Sequence, residues 1–235
     1  MLFGLKGYYV VISKVYIMLT SSGFLKKKYP ELFYLKKIIQ PGFVCIDIGA
    51  NMGYYSTSMS RLTGREGKVF SVEPIPLFVD ILKLNLKSTG MNNVTIYPYA
   101  LGGENKNVTM GTPEIGGIVK HGQTRLVSTA ELKYKDVYEV EMKVPDELFA
   151  NLQRLDFIKC DVEGYEYYVF SNMRKVLEKF KPLIQSELGN PETRKSMYDF
   201  FGSMNYKACK LENDTLSALS EKEFYSYEPD VYFVP

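Results

Sequence analysis

Short apolar runs ending in an acidic residue recur along this chain, separated by stretches whose apolar residues fall three and four apart. Residues 44–48, 69–73, 94–97, 156–161, 183–188, 206–211 and 231–234 have the length and the β-branched or aromatic content of strands. Residues 54–63, 76–89, 165–180 and 191–203 read as helices between them. Leu77, Ile81, Leu84 and Leu86 give the second helix an apolar side and Gly90 stops it, while Asn190 and Pro191 make an N-cap and first-turn pair for the last. Strands alternating with helices predict an α/β fold with a doubly wound, mostly parallel, seven-stranded sheet. Ligands of such sheets bind outside the carboxyl ends of the strands, which is where Asp47, Glu73, Asp161 and Glu187 fall. Residues 102–135 are the least regular part, rich in Gly, Thr and Lys, and 137–144 alternates like a half-exposed strand.

The amino-terminal segment has a different pattern. Leu5, Tyr8, Tyr9, Ile12, Val15, Tyr16 and Leu19 fall at helical spacing, and Val10, Val11, Ile17 and Met18 make the other side apolar as well. It lacks the small-residue cleavage site and basic start of a secretory signal. It is also too short, and interrupted at Ser13 and Lys14, to span a bilayer. Two placements remain open. The helix docks on the domain or on a second subunit of a homo-oligomer, or residues 1–28 lie on a membrane surface with Lys26, Lys27 and Lys28 towards anionic lipid. The chain thus divides into a helical extension over 1–40 and one α/β domain over 41–235, a length suited to a single core.

Charge sharpens that division. Residues 1–40 hold seven lysines against Glu31 alone, a local +6, so the +2 of the whole chain leaves −4 for the remainder. A net charge this small makes no case for a nucleic-acid partner. Cys45, Cys160 and Cys209 sit inside apolar strand-like runs without metal-ligand spacing, as buried reduced thiols of a cytoplasmic protein do. A cytoplasmic chain with such an extension would meet a membrane at its inner face.

Candidate chemistry starts at Asp47-Ile48-Gly49-Ala50-Asn51-Met52-Gly53-Tyr54-Tyr55-Ser56, a strand that turns at once into a helix. Glycines there let backbone approach a ligand, with helix N-terminal amides facing it. Asn51 stands where a dinucleotide fingerprint has its second glycine, and tight strand–helix turns need glycine for packing alone, so the loop by itself leaves cofactor binding undecided. Glu73 changes the balance: it ends the second strand 20 residues after Gly53, where nucleotide-binding folds place the acceptor for ribose hydroxyls.

That loop, then Val72-Glu73-Pro74, Ala100-Leu101-Gly102, and Phe157-Ile158-Lys159-Cys160-Asp161-Val162-Glu163-Gly164-Tyr165-Glu166 resemble the successive motifs of the FkbM family. These are S-adenosylmethionine-dependent methyltransferases of the class I, Rossmann-like fold. The resemblance runs from about Pro41 to the C-terminus and covers 103–145 only loosely. It implies that Gly49, Asn51 and Gly53 approach the methionine end of the cofactor and that Glu73 holds the ribose. Tyr99, Ala100 and Leu101 would border the adenine, with Asp47, Tyr54 and Asp161 also on the cofactor side. S-adenosylhomocysteine would be the product. Members mostly methylate hydroxyl oxygens of sugars, glycolipid or polysaccharide precursors and natural products, so the implied partner is a small-molecule, glycan or glycolipid acceptor.

An alcohol acceptor must lose a proton, which calls for a base or a metal. Asp161 and Glu163 lie two residues apart past a strand end, and Glu187 on the neighbouring strand is placed to join them. Each carboxylate also has a structural reading: Asp161 accepting amides of its own turn, Glu163 capping the next helix. His121, the only histidine, sits in a glycine-rich stretch that would close over an acceptor, and its ordinary pKa suits base work near neutrality. Three carboxylates would alternatively hold Mg²⁺ or Ca²⁺, the less favoured reading. Two other function classes stay open at this point, an NAD-type oxidoreductase and a catalytically inactive cofactor-fold binding module.

Overall fold

A computed structural model describes residues 4–120, 123–127, 133–188 and 191–235. In chain order the elements are α1 (Gly4–Ser21), α2 (Pro30–Ile38), β1 (Val44–Ile48), α3 (Tyr54–Thr63), β2 (Lys68–Val72), α4 (Pro76–Lys87) and β3 (Val94–Tyr97). Next come β4 (Ala100–Leu101), β5 (Lys106–Ile115), β6 (Ile118–Val119), β7 (Arg125–Leu126), β8 (Tyr134–Lys143) and α5 (Pro145–Leu148). The remainder is β9 (Phe157–Cys160), α6 (Glu166–Ser171), α7 (Arg174–Phe180), β10 (Leu183–Ser186), α8 (Pro191–Ser203), β11 (Lys207–Glu212), β12 (Thr215–Ala218), α9 (Glu221–Ser226) and β13 (Val231–Val234).

The main sheet runs β12-β11-β13-β10-β9-β1-β2-β3, parallel from β10 to β3 and antiparallel at the β12 end. It is the α/β sheet the pattern predicts, with an eighth strand added. β12 returns on β11 through a two-residue turn, Asn213 and Asp214, both at positive φ (50° and 60°) as a type I′ hairpin requires. A second sheet, β4-β8-β5-β6 with β7 on β5, fills much of the stretch that reads as irregular. Pro113 marks a register shift in the β5–β8 ladder, where a residue without an amide is tolerated. The single helix expected over 165–180 is two, because the Asp146 carboxylate accepts the amides of Lys175 (3.1 Å) and Val176 (3.0 Å) and starts α7 afresh.

Alternation along the buried strands sets the layers. Ile46, Ile48, Phe70, Val72, Ile158 and Ile184 face the large core under α6, α7 and α8, whereas Cys45, Val69 and Phe157 face α2 and α3. All three cysteines are buried free thiols. α2 delivers Leu32 and Leu35 into that second layer and Tyr34 against Tyr232, so the extension is packed into the fold from Pro30 onward. α1 lies on α4: Ser13 is fully buried and donates to Asn85 Oδ1 (3.4 Å), and Lys6 pairs with Asp80 (2.6 Å). Among the described residues no helix is long and apolar enough to cross a membrane.

Candidate active site

The loop after β1 is folded by backbone requirements its glycines meet. Gly49 has φ +77° and lies so close to β9 that a Cβ there would stand 1.8 Å from the Asp161 carbonyl oxygen. Gly53, at φ +87°, would drive a Cβ to 2.3 Å from Leu82 Cδ1. Asn51 takes φ +49°, a conformation asparagine tolerates better than most residues. Gly49→Ala must therefore strain the backbone and push two strand ends apart. We expect a cost of about 2–5 kcal/mol from overpacking plus the left-handed φ. A melting scan should show the fall, and calorimetric titration should show loss of S-adenosylmethionine binding.

Glu73 fastens this loop to the next one. Its carboxylate accepts the Asn51 amide on Oε2 and the Ile75 amide on Oε1, both at 2.8 Å, and only 5% of the residue is exposed. Burial pushes its pKa up from 4.5 to about 7, with the two amides opposing and Asp47 and Asp161 assisting. A buried acid raised in this way binds its proton more tightly folded than unfolded. Stability therefore falls as pH climbs through the window from about 4.5 to about 7. Melting temperature against pH should show that decline in the wild type, and Glu73→Gln should lose the part owed to Glu73.

Across the face under α3, Ser71, Asp47, Lys159, Gln185 and Tyr232 stand side by side in register on five strands. Ser56 Oγ joins Asp47 (2.5 Å) and Ser71 (2.7 Å), and Gln185 donates to Tyr55 Oη (2.8 Å) and Asp230 (2.7 Å). Lys159 is the cation of this row. It lies 4.9 Å from the Tyr55 ring centroid and 2.8 Å from Asp161 Oδ2, at the rim of the site. Burial opposes its charge, but Asp161 and Asp47 outweigh that and hold it protonated. Burial would likewise raise Asp161; the Lys159 ammonium and a hydrogen bond with Glu187 hold it below the ordinary carboxylate range instead. Glu187, solvent-facing but against Asp161, is raised and keeps the proton of that pair. Asp47 itself is raised by full burial and leaves Oδ1 without a protein partner.

Glu163 sits at the tip of the next turn. Its backbone is left-handed (φ +55°), followed by Gly164 at φ +92°. A glutamate in that conformation costs on the order of 1–3 kcal/mol and persists only where its surroundings enforce it. Glu166 does the enforcing: its buried carboxylate accepts the amides of Val162 (3.0 Å) and Gly164 (3.1 Å). The turn amides considered for Asp161 thus go to Glu166, and the cap considered for Glu163 is not formed: no side chain caps α6 at Tyr165. Burial, then the charges of Asp161 and Glu166, push Glu163 up to about 7.

A cleft of two lobes opens at these strand ends. One, about 480 Å³, is lined by Gly49, Asn51, Glu73, Phe78, Asp161 and Glu163, among others. The other, about 420 Å³, is more apolar and lies among Tyr99, Ala100, Leu101, Arg125, Met142 and Tyr165. Gly49, Pro74, Met110 and Val162 border both. Asp47 is sealed beneath the floor, and Gly53 is a packing glycine behind it. Tyr54 turns its ring onto Tyr16 of α1 (centroids 4.1 Å apart), away from the cleft. His121 lies outside the described residues, among which no three His, Cys, Asp or Glu side chains gather as a metal site.

Lys159, Glu166, Met110 and Arg125 are site residues that sequence reasoning missed. A lysine inside an apolar strand was a visible signal for the first. The last two arrive from the second sheet, whose pairing no local pattern announces. The cleft fits S-adenosylmethionine on this chain's own features: a glycine-made close approach, an acidic group at the second strand, and an apolar lobe past it.

Comparison with known proteins agrees. Residues 47–210 match the methyltransferase FkbM domain. The crystal structure of methyltransferase FkbM from Methylobacillus flagellatus KT superposes with a TM-score of 0.53 at 15% identity, covering 86% of this chain and 50% of that one. A putative rRNA methylase from Clostridium thermocellum gives 0.50 at 9% identity, covering 87% and 91%. At such identities the likeness is one of fold. A protein-L-isoaspartate O-methyltransferase of Ignicoccus hospitalis is 30% identical over 150 residues, 63% of this chain and 66% of that protein. One of Methanococcoides burtonii is 41% identical over 58 residues, 25% and 29%. The chain thus spans less than two thirds of either relative. The family match covers most of the chain and removes the oxidoreductase reading: the chain belongs to the FkbM family of S-adenosylmethionine-dependent methyltransferases.

Proposed function

We propose that the protein methylates a hydroxyl oxygen, with Glu163 as general base, on a sugar, a glycolipid or polysaccharide precursor, or a natural product. The observation carrying this reading is a strained glutamate at the cleft wall whose proton affinity lies near neutrality. Bound S-adenosylmethionine supplies an electrophilic methyl for in-line displacement by the acceptor oxygen. The chain's own residues have three tasks. Gly49 and Asn51 bring backbone to the methionine portion, Glu73 accepts from the ribose, and Ala100 and Leu101 border the adenine. Glu163 takes the hydroxyl proton, its pKa matched to the operating pH as base catalysis favours. Asp161, charged through Lys159, keeps Glu163 a strong enough base, and the one proton that Glu187 holds is directed at Asp161.

The isoaspartate-directed relatives offer a contrast. A carboxylate acceptor needs no base and would meet Asp161 and Glu163 as like charges, whereas an alcohol needs the base and tolerates them. We expect a cytoplasmic setting, in keeping with the three reduced thiols. Cell-envelope glycan and lipid fractions, incubated with methyl-labelled S-adenosylmethionine, test the proposal. Label should enter a hydroxyl-bearing fraction with the wild type and not with Glu163→Gln; equal labelling by both would remove Glu163 from the reaction.

A further inference from the structure

The outer side of α1 breaks the rule for a surface helix. Its inner side is committed to α4 through Lys6, Tyr9, Ser13 and Ile17, so its rotation is fixed. The side turned away from the protein should then be polar. Instead Leu5, Tyr8, Val11, Ile12, Val15 and Met18 stand 38–62% exposed, in steps of three and four along the whole helix. Phe24 follows, 84% exposed, ahead of Lys26, Lys27 and Lys28. A continuous apolar stripe of this extent on a monomer marks an interaction surface.

Charge indicates the occupant. Lys26 and Lys37 are spent on Asp214, but Lys14, Lys27 and Lys28 are exposed beside the stripe and none of them pairs with a carboxylate in the described structure. Apolar side chains with flanking lysines match the boundary between acyl chains and anionic headgroups. A second copy of this chain would bring the same positive charge to itself. We propose that the outer face of α1 lies on an anionic lipid surface, with Phe24 and the lysines at its carboxyl end in the headgroup layer. The orientation that follows serves the site. α1 runs parallel to α4, with Lys6 at Asp80, Tyr9 at Phe78 and Ser13 at Asn85. The amino end of α1 therefore rests against Phe78, a wall of the cleft. The membrane lies beside the cleft, within reach of an acceptor held in lipid.

The inference does not depend on the acceptor being a glycolipid, and its test reads binding rather than methylation. Full-length protein is sedimented with phosphatidylcholine vesicles with and without phosphatidylglycerol. It should pellet with the anionic vesicles and much less with the neutral ones. Raising salt from about 0.1 M to about 1 M should release it, since the screening length falls from roughly 10 Å to roughly 3 Å. Lys27→Glu should weaken partition at least about fivefold, the effect of one lysine near such a surface. Val11→Glu/Val15→Glu/Met18→Glu should abolish it while S-adenosylmethionine titration and melting temperature stay as in the wild type. No pelleting above background, or equal pelleting with both vesicle types, would overturn the proposal. So would gel filtration showing a dimer that the triple variant dissolves, since the stripe would then belong to a second copy.

Discussion

Glu163→Gln should lower turnover by about 10²–10⁴-fold, the usual loss when a general base is removed, with S-adenosylmethionine affinity unchanged. The amide keeps the side chain's size and its hydrogen-bonding reach but cannot accept the proton. The backbone at φ +55° is held by Glu166 and is not altered by the change. In the wild type, kcat/KM should rise with pH and level off above about 7, because burial and the neighbouring acids raise Glu163 to that value. The limb should be absent from the residual activity of Glu163→Gln. A wild-type profile flat between about pH 5 and pH 8 would instead point to Asp161, which Lys159 keeps ionised throughout.

Lys159→Met should be the most destabilising single change at the site, by about 3–5 kcal/mol. Removing one partner of a buried ion pair leaves the other uncompensated. Lys159 is 5% exposed at its side chain, and Asp161, Asp47 and Asp230 all depend on its charge. The sign of the pH effect follows. Asp161 is depressed in the folded protein, so its contribution is present above its unfolded pKa and lost as pH falls through the folded value. In the variant Asp161 rises, and stability above neutrality drops most. Glu163 is raised more by the Asp161 charge than it is lowered by Lys159, so as Asp161 takes up its proton the activity limb of whatever folds should move to lower pH. Denaturant melts at pH 5 and pH 8, with the kcat/KM profile, check both. A Lys159→Arg variant that restores the profile would separate charge from mere packing.

Legibility in the sequence followed burial. β1 and β9 are short, mainly apolar runs with an aspartate at or just past the end, so Asp47, Gly49, Asp161 and Glu163 could be placed from residues alone. The second sheet could not: β5 holds Gly111 and Pro113, and it becomes a strand through β8, about thirty residues away in sequence. Hence Met110 and Arg125, which complete the cleft, were invisible. β12 was missed because Asn213-Asp214 lacks the glycine that usually signals a type I′ turn. Within Asp161-Val162-Glu163-Gly164-Tyr165-Glu166 the carboxylates were legible but their division of labour was not. Which one accepts the turn amides and which is strained depends on a φ value that residue identity does not disclose. The polar row headed by Lys159 likewise needed strand register to appear.

The most direct measurement is the chemical stability of the methyl group the protein installs. Acceptor labelled from methyl-tritiated S-adenosylmethionine is purified, split, and half is treated with mild alkali. A hydroxyl acceptor yields a methyl ether, so the label installed by the wild type should stay bound through the alkali, and Glu163→Gln should install little label at all. Release of the label as volatile methanol would show a carboxyl ester and contradict the account, as would cofactor binding with no label transferred to any fraction.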